Sequence, residues 1–279
     1  MNGQQKHSIN RFEFEVEPLE SRQMLATVVA TGSTIRITGT NESDFVEVFD
    51  SGGQVLVFDG EADLDTGIAT DELDRLTISL KKGNDSLFIG AGIRVNKSAT
   101  IRLGNGTNAA DIAGVYSNVR IIGGADSEAV DINGLFAFRR ASVNLKGGDD
   151  SLNFSIVDYI DGIDNGVVSE DDALDLLESP PRISLRLGSG EDTLAITNGA
   201  EPIDDDFIED LLDDFGFESL DDLVTELEGL ADEAGLSNIL RVVRVNGGSG
   251  TDVFLPEGLS QLLGIFGARI SNFEPAAND

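Results

Sequence analysis

Ser142-Val-Asn-Leu-Lys-Gly-Gly-Asp-Asp-Ser-Leu-Asn-Phe154 is the stretch that decides the fold. An alternating triplet, Val143-Asn-Leu145, enters a Gly-Gly-Asp-Asp turn, and a second alternating run, Ser151-Leu-Asn-Phe154, leaves it. Alternation of period two gives each short strand one inward and one outward face. Gly accepts positive φ at a corner, and Asp can hydrogen-bond the turn backbone. The pattern returns in Thr77-Ile-Ser-Leu-Lys-Lys-Gly-Asn-Asp-Ser-Leu-Phe-Ile89, in Ser184-Leu-Arg-Leu-Gly-Ser-Gly-Glu-Asp-Thr-Leu-Ala-Ile196 and in Arg244-Val-Asn-Gly-Gly-Ser-Gly-Thr-Asp-Val-Phe-Leu255. Weaker copies run through Ile35–Val48, Ile101-Arg-Leu-Gly-Asn-Gly106 and Arg120-Ile-Ile-Gly-Gly-Ala-Asp126.

The turn aspartates set a period. Asp111 to Asp131 is 20 residues, Asp131 to Asp150 is 19 and Asp85 to Asp111 is 26, while Asp44 to Asp85 is 41, close to two coils. Asp150 to Asp192 is 42 and Asp192 to Asp252 is 60, and these intervals contain the non-repeating stretches 158–180 and 201–238. A coil of about 20 residues cannot bury its own apolar side chains, whereas stacked coils enclose a continuous core. The expected fold is therefore mainly β, a parallel β-helix or β-solenoid, with an antiparallel β-sandwich as the alternative. Residues 1–26 form an N-terminal segment, 27–273 the repeat domain and 274–279 a tail.

The chain has 279 residues, 40% of them hydrophobic, and a formal net charge of −32. Residues 158–180 hold eight acidic side chains and residues 201–238 hold fifteen, with no basic residue in either. Both stretches have a helical pattern: Phe207, Ile208, Leu211, Leu212 and Phe215 share one face, as do Leu220, Leu223, Val224 and Leu227. The charge disfavours nucleic acid, whose phosphates are bound by Lys and Arg. No apolar run reaches the roughly 20 residues of a membrane span. The absence of cysteine excludes disulfides and thiol chemistry.

Val16-Glu-Pro-Leu-Glu-Ser-Arg-Gln-Met-Leu-Ala26 resembles the short N-terminal motif of planctomycete extracellular proteins. That resemblance implies export to the medium, cell surface or envelope. Asp161-Gly-Ile-Asp-Asn-Gly-Val-Val-Ser-Glu-Asp-Asp172 resembles a single dockerin-type EF-hand loop. The family pattern places oxygen ligands at loop positions 1, 3, 5, 7, 9 and 12 and Gly at 6. It implies a calcium site formed by Asp161, Asn165, the Val167 carbonyl, Ser169 and Asp172, with Gly166 at the turn. Ile163 stands at position 3 and cannot ligate, and Asp164 beside it is the compensating candidate. The competing reading is a helix capping box, Ser169 with Asp172. Gly247–Leu255 is similar to the nonapeptide of calcium-binding β-rolls, although it occurs cleanly once. Phe215–Leu227 resembles the attachment segment of acyl carrier proteins around Ser219, but the stretch is too short for that domain.

The only histidine is His7, so a repeat domain beginning at residue 27 has no His base. The expectation is a non-enzymatic, extracellular structural or adhesion-type protein with calcium as its cofactor and a polysaccharide or protein partner. The alternative is a carbohydrate-active β-helix enzyme, a lyase or glycosidase, for which Arg139-Arg140 near Asp149-Asp150 are candidates. An aromatic or Arg/Lys-lined groove along one face would favour the enzyme, and a featureless face with acidic turn ladders the scaffold.

Overall fold

The computed structural model describes residues 26–155, 182–198, 201–202, 243–255 and 269–273. These form eighteen strands in one continuous hydrogen-bonded sheet, with a 3-10 turn at Thr70–Glu72 and no α-helix among the described residues. The strands are β1 Thr27–Thr31, β2 Thr34–Thr38, β3 Phe45–Ser51, β4 Gln54–Phe58, β5 Asp63–Ala69, β6 Arg75–Ser79, β7 Ser86–Ile89, β8 Arg94–Val95 and β9 Ser98–Arg102. They continue as β10 Asn108–Ile122, β11 Glu128–Asn144, β12 Ser151–Ser155, β13 Arg182–Ser189, β14 Thr193–Asn198, β15 Glu201–Pro202, β16 Val243–Ser249, β17 Val253–Leu255 and β18 Arg269–Ser271. The protein is mainly β.

Pairing between repeats is parallel and falls into ladders. The first runs β2, β6, β9, the end of β10, the end of β11, β13, β16 and β18. The second runs β3, β7, the start of β10, the start of β11, β12, β14 and β17. A short third joins β8 to the middle of β10, which pairs with the middle of β11. Both long strands shift register after Ile112 and again after Tyr116 of β10, and so pass from one ladder to the next. Among the described residues antiparallel pairing is confined to four neighbours in sequence: β1–β2, β3–β4, β4–β5 and β14–β15.

Alternation decides what each ladder buries. In the first, Ile35 and Ile37 of β2 align with Leu76 and Ile78 of β6, then Ala99 and Ile101 of β9, all buried. Burying one Ile or Leu is worth about 1.5–3 kcal/mol. Each such column gains that only because the next repeat covers it. In the third ladder Tyr116 is fully buried, its hydroxyl donating to the Ala113 carbonyl at 2.7 Å, and burial pushes the phenol up.

Two expectations about the period are corrected. The 41 residues from Asp44 to Asp85 make one layer, not two, because β2 pairs directly with β6 and β3 with β7. The surplus is an antiparallel excursion, β3–β4–β5, entered through Gly52 and Gly53, both at positive φ as a two-residue hairpin turn needs. Asp111 and Asp131 are not turn residues: they lie within β10 and β11, paired with each other. The corresponding turn positions are Asn108 and Glu128.

The two ends of the ladders differ. At the first layer β1 covers the outer edge of β2 and β4 covers that of β3, both antiparallel. At the other end β18 and β17 each pair on one side only among the described residues. The expected helices of 158–180 lie outside the described residues, as do those of 203–238, while Glu201 and Pro202 form β15. Residues 1–25 and the tail 274–279 also lie outside them.

Candidate functional site: a buried acid column and an arginine face

Where the first ladder turns into the second, seven polar residues stand in register: Asp44, Asp85, Asn108, Glu128, Asp150, Asp192 and Asp252. Each immediately precedes one aligned row of the second ladder, Phe45, Ser86, Ala109, Ala129, Ser151, Thr193 and Val253. Six of the seven are 1–2% exposed, and Asp44 is 7% exposed. The contacts that hold them run between layers. The Asp44 N–H donates to Asp85 Oδ1 at 2.8 Å, and the Asp85 N–H to Asn108 Oδ1 at 3.0 Å. The Glu128 N–H donates to Asp150 Oδ1 at 2.8 Å, Asp150 to Asp192 Oδ1 at 2.9 Å and Asp192 to Asp252 Oδ1 at 3.2 Å. Only between Asn108 and Glu128 does the pattern break. Glu128, one methylene longer, folds back to accept from the Gly124 N–H at 2.6 Å, and the Asn108 N–H donates to the Ser127 carbonyl at 3.2 Å.

A second, exposed column runs beside it in the opposite sense. Asn84 Oδ1 accepts from the Thr107 N–H of the following layer at 3.0 Å, and Asp149 Oδ1 from Glu191 at 3.0 Å. The turns pack too closely for side chains at some places: a methyl on Gly250 would collide with the Gly190 carbonyl.

The buried column is half satisfied. Oδ2 of Asp85, Asp150, Asp192 and Asp252 and Oε2 of Glu128 have no hydrogen-bond partner. Neighbouring strands lie about 4.8 Å apart, and two carboxylates at that distance repel by about 1 kcal/mol even in water. Protonation answers both problems. Burial pushes Asp85 up to about 6, and burial with the charges of Asp150 and Asp252 pushes Asp192 up to about 6. Burial and then the hydrogen bond to Asp150 push Glu128 up to about 8, and burial raises Asp150 as well. With both ionised, Glu128 and Asp150 each keep an oxygen without a donor; one proton on Glu128 offered to Asp150 removes the deficit.

The outward side of the first ladder is an arginine face. β2, β6, β9 and the end of β10 carry Arg36, Arg75, Arg102 and Arg120 there, all exposed. The end of β11 carries Arg140, β13 Arg182 and Arg186, β16 Arg244 and β18 Arg269, again all exposed. Every layer therefore contributes at least one, and nine of the chain's arginines lie on one face of one ladder. Between them are Ser, Thr and Asn, with Ile122 the one apolar residue and no carboxylate. Arg140 aligns with Arg182, and Arg244 with Arg269. Among the described residues none of the nine makes an ion pair; the bridge that forms, Lys97–Asp74 at 2.6 Å, lies at a corner. The outward side of the second ladder is opposite in character, with Glu47, Asp111 and Asp131 and no basic residue. There Asp111 is raised by burial, then by the charge of Asp131, against the amide of Asn133.

Asp161, Asp164, Asn165, Val167, Ser169 and Asp172 lie outside the described residues. Among the described residues no group of three or more His, Cys, Asp or Glu side chains is placed to hold a metal ion. In the nonapeptide Gly247–Leu255, Asp252 is spent on the buried column. Arg139 and Arg140 are exposed, whereas Asp149 and Asp150 accept backbone N–H groups from neighbouring layers, and no ion pair joins the two sets. Asn108, Glu128 and the arginine face were not singled out from sequence. The arginines do show as the middle residue of alternating triplets such as Ile101-Arg-Leu103, a signal that becomes a face only once the repeats are in register. No helix among the described residues is long and apolar enough to cross a membrane. Compared with protein-family models, curated proteins and solved structures, the chain matches none.

Proposed function

We propose that the chain is a β-solenoid of structural or adhesion type, exported and without enzymatic activity. The observation that carries the reading is the one-layer step of the repeat. Asp150, Asp192 and Asp252 are 42 and 60 residues apart, yet each hydrogen-bonds the next. That arrangement suits stacked coils with excursions between them, and the confinement of antiparallel pairing to local hairpins speaks against a sandwich. One oxygen each of Asp85, Asp150, Asp192 and Asp252 is taken by the backbone of an adjacent layer, which favours a role in cohesion over one in substrate binding. Export rests on the resemblance of residues 16–26, and calcium on the loop 161–172.

The cysteine-free chain makes the fold testable. Ser142 and Ser184 are aligned on paired strands, which lie about 4.8 Å apart, a spacing that suits the roughly 4.4–6.8 Å Cα separation of a disulfide. Ser142→Cys with Ser184→Cys should crosslink on oxidation, and Thr100→Cys with Ser184→Cys, three layers apart, should not. Equal crosslinking of both pairs, or of neither, would sink the solenoid. For export, the full chain should be recovered from envelope or medium, and deletion of 16–26 should keep it in the cytoplasm.

The carbohydrate-active reading draws on the arginine face, since lyase chemistry uses cationic side chains on such surfaces. Release of reducing ends or of unsaturated uronates from a polysaccharide panel would establish it over the scaffold. The scaffold predicts no product.

A further inference from the structure

We infer that the arginine face is the binding surface for a linear polyanionic polysaccharide, laid along the stack and carrying about one carboxylate or sulfate per sugar. The ligand's chemistry follows from three properties of the face. First, its charge is periodic: one arginine or more per layer, at a layer spacing of about 4.8 Å. A line of separated positive charges fits a line of separated negative ones, not a single anion. Second, among the described residues no ion pair compensates its charge, although Arg75 feels the charge of Asp74. Like charges directly opposite on neighbouring strands destabilise a sheet, and both Arg140–Arg182 and Arg244–Arg269 are such pairs, without a carboxylate partner among the described residues. An anion bound across them turns that repulsion into attraction, and guanidinium is suited to bidentate contact with carboxylate or sulfate.

Third, the residues between the arginines are Ser, Thr and Asn, which exchange hydrogen bonds with a hydroxyl-rich polymer. Among the described residues no aromatic side chain stands on the face to stack a base, which disfavours single-stranded nucleic acid. Near the last layers the face dips into an open cavity of about 230 Å³ whose lining includes Arg186, Arg244, Arg269 and Ser271 together with Leu185 and Val245, a seat for one charged sugar. The acidic outward side of the second ladder repels the same polymer and so confines it to one side.

The inference names a ligand that the scaffold reading leaves open. Its failure would leave the cysteine-pair result untouched. The test is calorimetric titration of the full chain with polygalacturonate, dextran sulfate and neutral dextran. Chelator is present so that calcium does not bridge acidic protein to acidic polymer. At about 50 mM salt at least one polyanion should bind and neutral dextran should not, and the preferred polyanion identifies carboxylate or sulfate as the anion. Raising the salt to about 300 mM should weaken binding by about tenfold or more, as for ion-driven association. Arg120→Ser with Arg244→Ser should cost about tenfold or more. Lys81→Asn with Lys146→Asn removes the same charge from turns where both lysines hold positive φ, a conformation Asn tolerates, and should change affinity less than twofold. Arg120→Gln with Arg244→Gln replaces the serine pair if the latter does not fold. Failure of the native chain to bind either polyanion overturns the inference, even if an acidic stretch of this chain takes the face instead. So do equal losses in the arginine and lysine pairs, or tighter binding of polyuridylate than of either polysaccharide.

Discussion

The Asp150 backbone N–H donates to Asp192 Oδ1 at 2.9 Å across 42 residues of sequence, inside the protein and away from solvent. One oxygen thus fastens two layers that sequence separation alone would not pair. Asp192→Ala should leave that N–H buried without an acceptor, at a cost of about 1–3 kcal/mol. Asp192→Asn keeps an oxygen at Oδ1 and removes a buried charge, so its stability at pH 8 should equal or exceed that of the native chain. Urea denaturation of the two variants checks the contrast, and similar losses in both would refute the acceptor role.

The raised carboxylates give stability a sign with pH. A carboxyl whose folded pKa lies above its unfolded value binds its proton more readily in the fold, so its contribution is full below the unfolded pKa and is lost as pH rises through the folded one. For Asp85 and Asp192 that window runs from about 4 to about 6, and for Glu128 from about 4.5 to about 8. The melting midpoint should therefore be higher at pH 5 than at pH 8. Glu128→Gln should flatten the upper part of the profile and raise the midpoint at pH 8. An unchanged slope in that variant would assign the effect to overall charge instead.

Gly190 sits at φ 142° with the Gly148 carbonyl where a Cβ would go. Gly190→Ala should cost more than the roughly 1 kcal/mol of an ordinary backbone penalty, because turn must move against turn. In the core beneath, Ile101 is completely buried. Ile101→Ala should cost about 2–5 kcal/mol, and Thr100→Ala, on the outward side of the same strand, less than about 0.5 kcal/mol. Thermal melts of the three variants order them.

The mainly β character was legible because the recurring stretches use few residue types in strict alternation. The copies at 77–89, 142–154, 184–196 and 244–255 fall at equivalent places in the ladders, and their aspartates 85, 150, 192 and 252 all stand in the buried column. Asn108 and Glu128 escaped notice because Asp111 and Asp131, three residues on, offered the expected side chain. What the position requires is an acceptor near the preceding layer's backbone, and an amide or a longer carboxylate serves. The excursion β3–β4–β5 passed for a coil because its strands alternate as coil strands do, and only pairing partners distinguish them. The arginine face depends on register across layers, which no single repeat displays.

The turn aspartates are poorly disposed to hold calcium, and the loop 161–172 remains the proposed place for it. Each Oδ1 of Asp85, Asp150, Asp192 and Asp252 already accepts a backbone N–H. Any rise of the melting midpoint in millimolar calcium over chelator should therefore vanish in Asp161→Ala with Asp172→Ala and survive in Asp192→Asn. The opposite pattern would move the ion into the turns.

With β1 and β4 lying antiparallel over the first layer, the stack has a head and a tail. Head-to-tail growth into a fibre needs two complementary ends. At the head β1 and β4 occupy the edges of β2 and β3, so a second copy cannot pair with those two strands. Among the described residues the two long parallel ladders keep an uncovered edge only at β17 and β18, so anything that prolonged the row of arginines in the same register would join there.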